Sequence, residues 1–96
     1  MDMDFEWDDA KAASNLRKHG VAFEDAAHVF LDGGRVDMVD DREDYGEVRW
    51  LTLGWAGPVL LVVAYTLRGA GGDIIRIISA RKANAGERAY YHENEA

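Results

Sequence analysis

The stretch from residue 48 to residue 82 leaves this chain few ways to fold. Val48 to Trp55 alternates over eight residues, which puts Val48, Trp50 and Thr52 on one side of a strand and Arg49, Leu51 and Leu53 on the other. Trp55-Ala56-Gly57-Pro58 is turn chemistry, and Val59 to Tyr65 is an unbroken apolar run that reads as a buried strand. A loop from Leu67 to Gly72 holds three glycines, and Ile74 to Ala80 is β-branched nearly throughout. Strands joined by connections this short pair antiparallel, because a parallel return needs a long crossover. Val36-Asp37-Met38-Val39 adds a short strand at an edge of the same meander.

The first third and the end of the chain read differently. Phe5-Glu6-Trp7 is a short first strand, and Asp8 is placed to cap a helix whose apolar positions are Ala12, Ala13 and Leu16. Lys18 and His19 fall in its last turn, where the helix dipole favours cations, and Gly20 supplies the left-handed stop. Phe23, Ala26, Ala27 and Phe30 fit a second helix closed by Gly33-Gly34, with Ala22 offering no side-chain acceptor at its start. A last helix begins near Asn84 and runs through Arg88, Tyr90 and Tyr91. The order is β-α-α-β-β-β-β-α, an α+β domain in which helices flank an antiparallel sheet. No repeat, low-complexity stretch or linker interrupts the 96 residues, so one domain spans 1–96.

Composition removes several functional classes. Without cysteine there are no disulfides, thiolate metal sites or cysteine nucleophiles. The run from Val59 to Tyr65 is far shorter than the ~20 residues of a membrane span. The acidic N-terminus lacks the apolar core of a secretory signal, so a cytoplasmic, membrane-free protein is expected. Net charge is −7, but residues 1–47 carry −9 and residues 48–96 carry +2. Any contact with nucleic acid is therefore local and built from the second half.

Arg76, Arg81 and Lys82 fall within seven residues on or just after the last strand. Guanidinium groups match phosphate oxygens bidentately and stabilise charge as phosphorus becomes five-coordinate. Arg76, amid isoleucines, and Arg49, beside Leu51 and Leu53, each admit two readings: a phosphate contact, or an arginine satisfied by a neighbouring partner. In a regular strand, residues 76 and 81 lie on opposite faces; they converge only if the strand ends or bulges near Ser79. His19 is the candidate for proton transfer, since imidazole titrates near neutral pH, and its competing role is a plain helix-end cation. His28 reads as structural, and His92 sits near the C-terminus. The acids Asp37, Asp40, Asp41, Glu43, Asp44 and Glu47 fit no calcium-loop spacing and read as a solvated loop. Gly69-Ala70-Gly71-Gly72 lies between strands, lacks a following helix dipole, and is a hairpin turn rather than a phosphate cradle. Only Ser14 and Ser79 are present, neither in a strand-turn-helix elbow, so a serine hydrolase is unsupported.

Phe5-Glu6-Trp7-Asp8, Lys11-Ala12, Asn15, Lys18-His19-Gly20-Val21 and Phe23-Glu24-Asp25-Ala26, followed by Glu47-Val48-Arg49, Arg76-Ile77-Ile78-Ser79-Ala80-Arg81-Lys82-Ala83 and Glu87-Arg88, together resemble the BrnT toxins of type II toxin–antitoxin systems. The resemblance covers residues 4 to about 91. It implies a RelE-like ribonuclease fold, RNA as substrate, and RNA cleavage that stops translation. It further implies a BrnA-like antitoxin that neutralises the toxin in a heterotetramer and carries the complex to operator DNA, so that the toxin meets DNA only through its partner. In that setting Arg76 and Arg81 are the expected charge stabilisers, Arg49, Lys82 and Lys18 the phosphate contacts, and His19 the proton-transfer group, with no metal and no cofactor. Two other classes stay open: a non-catalytic binding module that serves only to assemble a repressor, and a metal-dependent nuclease built on the acids of residues 37–47. The acidic first half is expected to face a basic surface of the antitoxin.

Overall fold

The computed structural model describes residues 3–94, which form strands β1 (Asp4–Glu6), β2 (Val36–Asp40), β3 (Arg49–Ala56), β4 (Val59–Arg68) and β5 (Ile74–Lys82). Helices α1 (Asp9–His19) and α2 (Phe23–Ala27) precede β2, α2 runs on as a 3-10 turn over His28–Leu31, and α3 (Ala85–Glu93) ends the fold. The sheet order is β1-β5-β4-β3-β2, antiparallel from β2 to β5 as the short connections require. β1 joins parallel beside β5, so the sheet is mixed rather than wholly antiparallel. A parallel partner is available here because α1 and α2 lie between β1 and the meander and supply the long return.

Local chemistry fixes the elements. Asp8 caps α1 by accepting from Lys11 N–H at 3.0 Å, and Gly20 ends it at φ +70° with its N–H on the Leu16 carbonyl. Ala22 gives α2 no side-chain cap. Ala56 pairs with Val59 around Gly57 (φ +60°) and Pro58, the pattern of a type II′ hairpin turn. Asn84 and Glu87 form a reciprocal capping box at the start of α3.

Two apolar layers sandwich the sheet. The larger sets Val21, Phe23, Ala26, Val29 and Phe30 against Leu61, Val63, Tyr65, Ile75, Ile77 and Ala80. The smaller, under α3, joins Leu53, Leu60, Val62, Ala83 and Tyr91. Gly54 lets the 3-10 turn approach β3, because a Cβ there would lie 2.9 Å from Val29 Cγ1.

The buried face of α1 differs from the expected one. Ala13 and Leu16 are exposed, and the residue that enters the interior is Asn15. Its side chain donates to the carbonyls of Val21 (3.0 Å) and Ala80 (2.8 Å) and accepts from Ala80 N–H (3.0 Å). β1 pairs with β5 only as far as Arg76, so farther along that edge the Asn15 amide takes the place of a neighbouring strand at Ala80.

Candidate functional site

The β4–β5 register carries a bulge. Tyr65 faces Ile77 and Ala64 faces Ser79, which leaves Ile78 without a partner. Arg76 lies opposite Thr66, and Arg81 lies opposite Val62. Positions 66 and 62 share a side of β4, so both arginines project from the α3 side of the sheet. A regular strand would have sent them to opposite faces.

Arg49 belongs to the same face. Trp50 pairs with Tyr65, which sets Arg49 beside Thr66, whose hydroxyl donates to the Val48 carbonyl at 2.9 Å. Arg49, Thr66 and Arg76 thus form a row across β3, β4 and β5, its two arginines about 10 Å apart at the usual strand spacing. Arg81 stands about 13 Å farther along β5, by the rise of four strand residues. The floor beyond the row is apolar. A groove of about 470 Å³ is lined by Met38, Leu51, Leu53, Val62, Asn84, Gly86, Glu87 and Tyr90.

The three guanidinium groups are held differently. Arg76 Nη1 donates to Glu6 Oε2 at 2.6 Å, across the β1–β5 pairing in which the two residues are opposite. Arg81 makes a two-pronged pair with Glu87, both contacts at 2.8 Å. That bond holds the Glu87 carboxyl below its ordinary range, with burial opposing and the Asn84 N–H assisting. Arg49 forms no ion pair among the described residues; its guanidinium lies 3.9 Å over the Tyr45 ring and its buried Nε has no hydrogen-bond partner. The three arginines share one face; Arg76, like Arg81, already holds a carboxylate, whereas Arg49 does not.

The remaining candidates sit elsewhere. Lys82 lies opposite Leu61 and faces the helix layer, where it lines a second groove of about 440 Å³ with Gly20, Val21, Asp25 and His28. Lys18 and His19 are exposed at the end of α1, in that layer, and the His19 side chain makes no hydrogen bond or ion pair among the described residues. The structure does not bring His19 to the arginine row. His28 is exposed and its Nδ1 meets the Glu24 carbonyl at 3.1 Å.

Several acids expected to lie free in a loop are engaged. Asp40 is buried and grips Arg42 with both oxygens, at 2.7 and 2.9 Å, which pulls its carboxyl down to about 2. Asp37 meets Arg35 and the Tyr65 hydroxyl, and Glu47 meets Arg68. Among the described residues no three acids or histidines gather as metal ligands.

Sequence reasoning missed Asp32. Its carboxylate accepts from Trp55 N–H (2.9 Å), Gly34 N–H (2.9 Å) and the Tyr91 hydroxyl (2.7 Å), tying the end of the 3-10 turn to β3 and to α3. Burial works against the charge, but these donors outweigh it and hold the carboxyl below its ordinary range. The only signal was an acid ahead of Gly33-Gly34, which has no distinctive spacing.

A family model described as the ribonuclease toxin BrnT of type II toxin–antitoxin systems matches residues 7–87. The chain belongs to the BrnT family. Among solved structures it is similar to the crystal structure of the Brucella abortus ribonuclease toxin BrnT, with 26% identity and a TM-score of 0.61 over 86% of this chain and 99% of that one. No curated protein matches the sequence. The BrnT match encloses Arg49, Arg76 and Arg81 and ends at Glu87; Glu6, which holds Arg76, lies outside it. No helix among the described residues is long and apolar enough to cross a membrane.

Proposed function

We propose that this BrnT-family chain is an endoribonuclease that cleaves RNA without a metal and is silenced by a BrnA-like antitoxin. The observation that carries the reading is the bulge at Ile78, which sets Arg76 and Arg81 on the face that also holds Arg49. In the proposed reaction a 2′-hydroxyl attacks the adjacent phosphorus. The O2′–P bond forms, the bond to the 5′ oxygen breaks, the 2′ proton goes to a base, and the 5′ oxygen takes up a proton. A 2′,3′-cyclic phosphate and a 5′-hydroxyl result. Arginines stabilise the growing charge, and their fixed placement orients the attack.

The carboxylates on Arg76 and Arg81 do not bar this. The Arg76–Glu6 side chains are 32% and 39% exposed and those of Arg81–Glu87 43% and 27%, so both are water-screened pairs. Such pairs contribute on the order of 1 kcal/mol or less, and an incoming phosphate can exchange for them. Among the described residues Arg49 holds no carboxylate and lies over the Tyr45 ring, which leaves it for a first phosphate contact. Arg81 and Lys82 are successive residues on opposite faces of β5. RNA that crosses the end of this strand meets Lys82, Lys18 and His19 next, which is the route by which His19 would take part in proton transfer.

Purified protein is expected to cut single-stranded RNA equally well with and without a chelator. Arg49→Ala, Arg76→Ala and Arg81→Ala should each lower the rate about 10²–10³-fold with unchanged circular dichroism. RNA left intact by the folded wild-type protein would overturn the nuclease reading. His19→Ala at full rate would remove only the role given to that residue.

A second reading is favoured by the engaged state of Arg76 and Arg81: a non-catalytic module that assembles a repressor. Under it the arginine variants lose partner affinity alone. Either way the partner is proposed to be an antitoxin that forms a cytoplasmic heterotetramer, carries the complex to operator DNA and so represses its own operon. The −9 charge of residues 1–47 gives it a surface to grip, and the affinity should fall steeply with salt.

A further inference from the structure

We infer that the groove between α3 and the sheet is a nucleobase subsite, in which one unstacked base of the RNA lies against the Tyr90 ring. This rests on the nuclease reading above and extends it to how the substrate is chosen.

The groove has one wall of helix and one floor of sheet. Gly86 and Glu87 in the first turn of α3 and Tyr90 in the next line it from above, and Met38, Leu51, Leu53 and Val62 line it from below. The floor residues share the face of Arg49, Arg76 and Arg81: Met38 is opposite Leu51, Leu53 is opposite Val62, and Val62 is opposite Arg81. The apolar trough and the guanidinium row are thus parts of one surface. A volume of about 470 Å³ lies in the range of pockets that enclose small ligands.

Charge decides the class of occupant. The mouth of the groove carries the Arg81 guanidinium, joined to the lining residue Glu87, and Arg42 stands near enough for the two cations to oppose each other. Asp40 holds Arg42 and Glu87 holds Arg81, but the Arg81 pair is water-screened and exchangeable. An apolar slot beside it therefore suits a flat, uncharged ring covalently tied to a phosphate that can displace Glu87. Single-stranded nucleic acid has that form: bases stack on aromatic and apolar surfaces while the backbone follows a positive track.

Two residues shape the slot. Tyr90 is 44% exposed although it is large and aromatic, and its ring lines the groove rather than joining Tyr91 in the core. Gly86 leaves room that a side chain would fill, since the nearest atom to a Cβ there is Asn84 Oδ1 at 3.5 Å.

The test uses a 2′-fluoro RNA hexamer, which lacks the attacking hydroxyl, and an abasic 2′-fluoro chain of equal length. Binding is measured by titration for the wild type, Tyr90→Ala, Gly86→Leu and Arg76→Ala. Tyr90→Ala and Gly86→Leu should weaken binding of the base-bearing hexamer about tenfold or more and leave the abasic chain unaffected. Arg76→Ala should weaken both. Gly86→Leu keeps the helix and only fills the trough, so it guards against loss of fold in the tyrosine variant. Equal effects on both chains, or none on either, would overturn the subsite while cleavage by the wild type left the nuclease reading standing. A wild type that bound neither chain would overturn the subsite, and the nuclease reading would fall with it only if RNA were also left uncut.

Discussion

Arg76 and Arg81 lie five positions apart on one strand and still project from the same face, because Ile78 between them has no partner on β4. The bulge places both on the face of Arg49, with Arg76 in its register, but each then meets a carboxylate, Glu6 at one end and Glu87 at the other. Glu87 does two things at once. Its Oε1 accepts from Asn84 N–H at 2.9 Å to close the capping box of α3, and both of its oxygens hold Arg81.

These two roles of Glu87 can be separated. Glutamine at this position keeps the box, because its carbonyl oxygen also reaches back to the Asn84 N–H. It removes the charge that competes with phosphate for Arg81. Glu87→Gln is expected to retain α3 by circular dichroism and to bind single-stranded RNA about twofold to fivefold more tightly, the worth of a solvent-screened pair. Weaker RNA binding would mean that the carboxylate positions Arg81 for the substrate rather than occupying it.

Asn15 makes a different kind of claim on the fold. It is 6% exposed and satisfies three backbone groups. Asn15→Ala strands the Ala80 N–H and carbonyl beside α1, and each unsatisfied group costs about 1–3 kcal/mol. A loss of about 2–4 kcal/mol in urea unfolding is expected. Asn15→Asp should lose nearly as much, because a carboxylate accepts from Ala80 N–H and donates to neither carbonyl. A cost under 1 kcal/mol for both would show that α1 does not depend on this clamp.

Much of this architecture was legible in the residues, for identifiable reasons. Asp8, Gly20, the Gly57-Pro58 turn and Asn84 act through local chemistry, which a sequence states directly. What stayed hidden depends on register or on distant partners. The bulge left no mark because Ile77 and Ile78 are both apolar, so the switch from the Ile75, Ile77 rhythm to Ala80 was masked. Asn15 and Asp32 each satisfy backbone of a strand far along the chain, 65 residues away for Asn15 and 23 for Asp32. Ala13 and Leu16 had the right spacing for a core face, but a helix that meets a sheet at its edge can present a polar residue there if it completes the hydrogen bonding.

Asp40 gives the stability an acid limb. Arg42 holds its carboxyl down at about 2, against an ordinary value of 3.8. The unfolded chain therefore binds the proton first as pH falls. The stabilisation is complete above about pH 5 and is lost progressively between about 5 and 1. Glu87, also held low, adds to the same slope, and Asp32 does too. Thermal unfolding should show the melting temperature of the wild type falling through this window. Asp40→Asn, less stable at pH 7, should fall less steeply there. Parallel curves for the two would remove Asp40 as a source of the limb.

The bond between Asp32 and Tyr91 is what ties the small core under α3 to the helix layer across the sheet. Tyr91 donates to Asp32 Oδ2 at 2.7 Å and its ring meets Trp55 edge-on with centroids 6.1 Å apart, while the same oxygen accepts from Trp55 N–H. Tyr91→Phe removes one donor and keeps the ring, so a cost of about 1 kcal/mol is expected. Asp32→Ala also strands the Trp55 N–H and should cost about 2–3 kcal/mol. Because both variants break the same contact, the double variant should cost less than their sum, by roughly 1 kcal/mol. Hydrogen exchange gives the location: the amides of α3 should lose protection in either single variant before those of β4 do. Strict additivity, with α3 protected as in the wild type, would mean that the helix is held by its other contacts, among them the Arg81–Glu87 pair and the packing of the small core, and that Asp32 serves only its own turn.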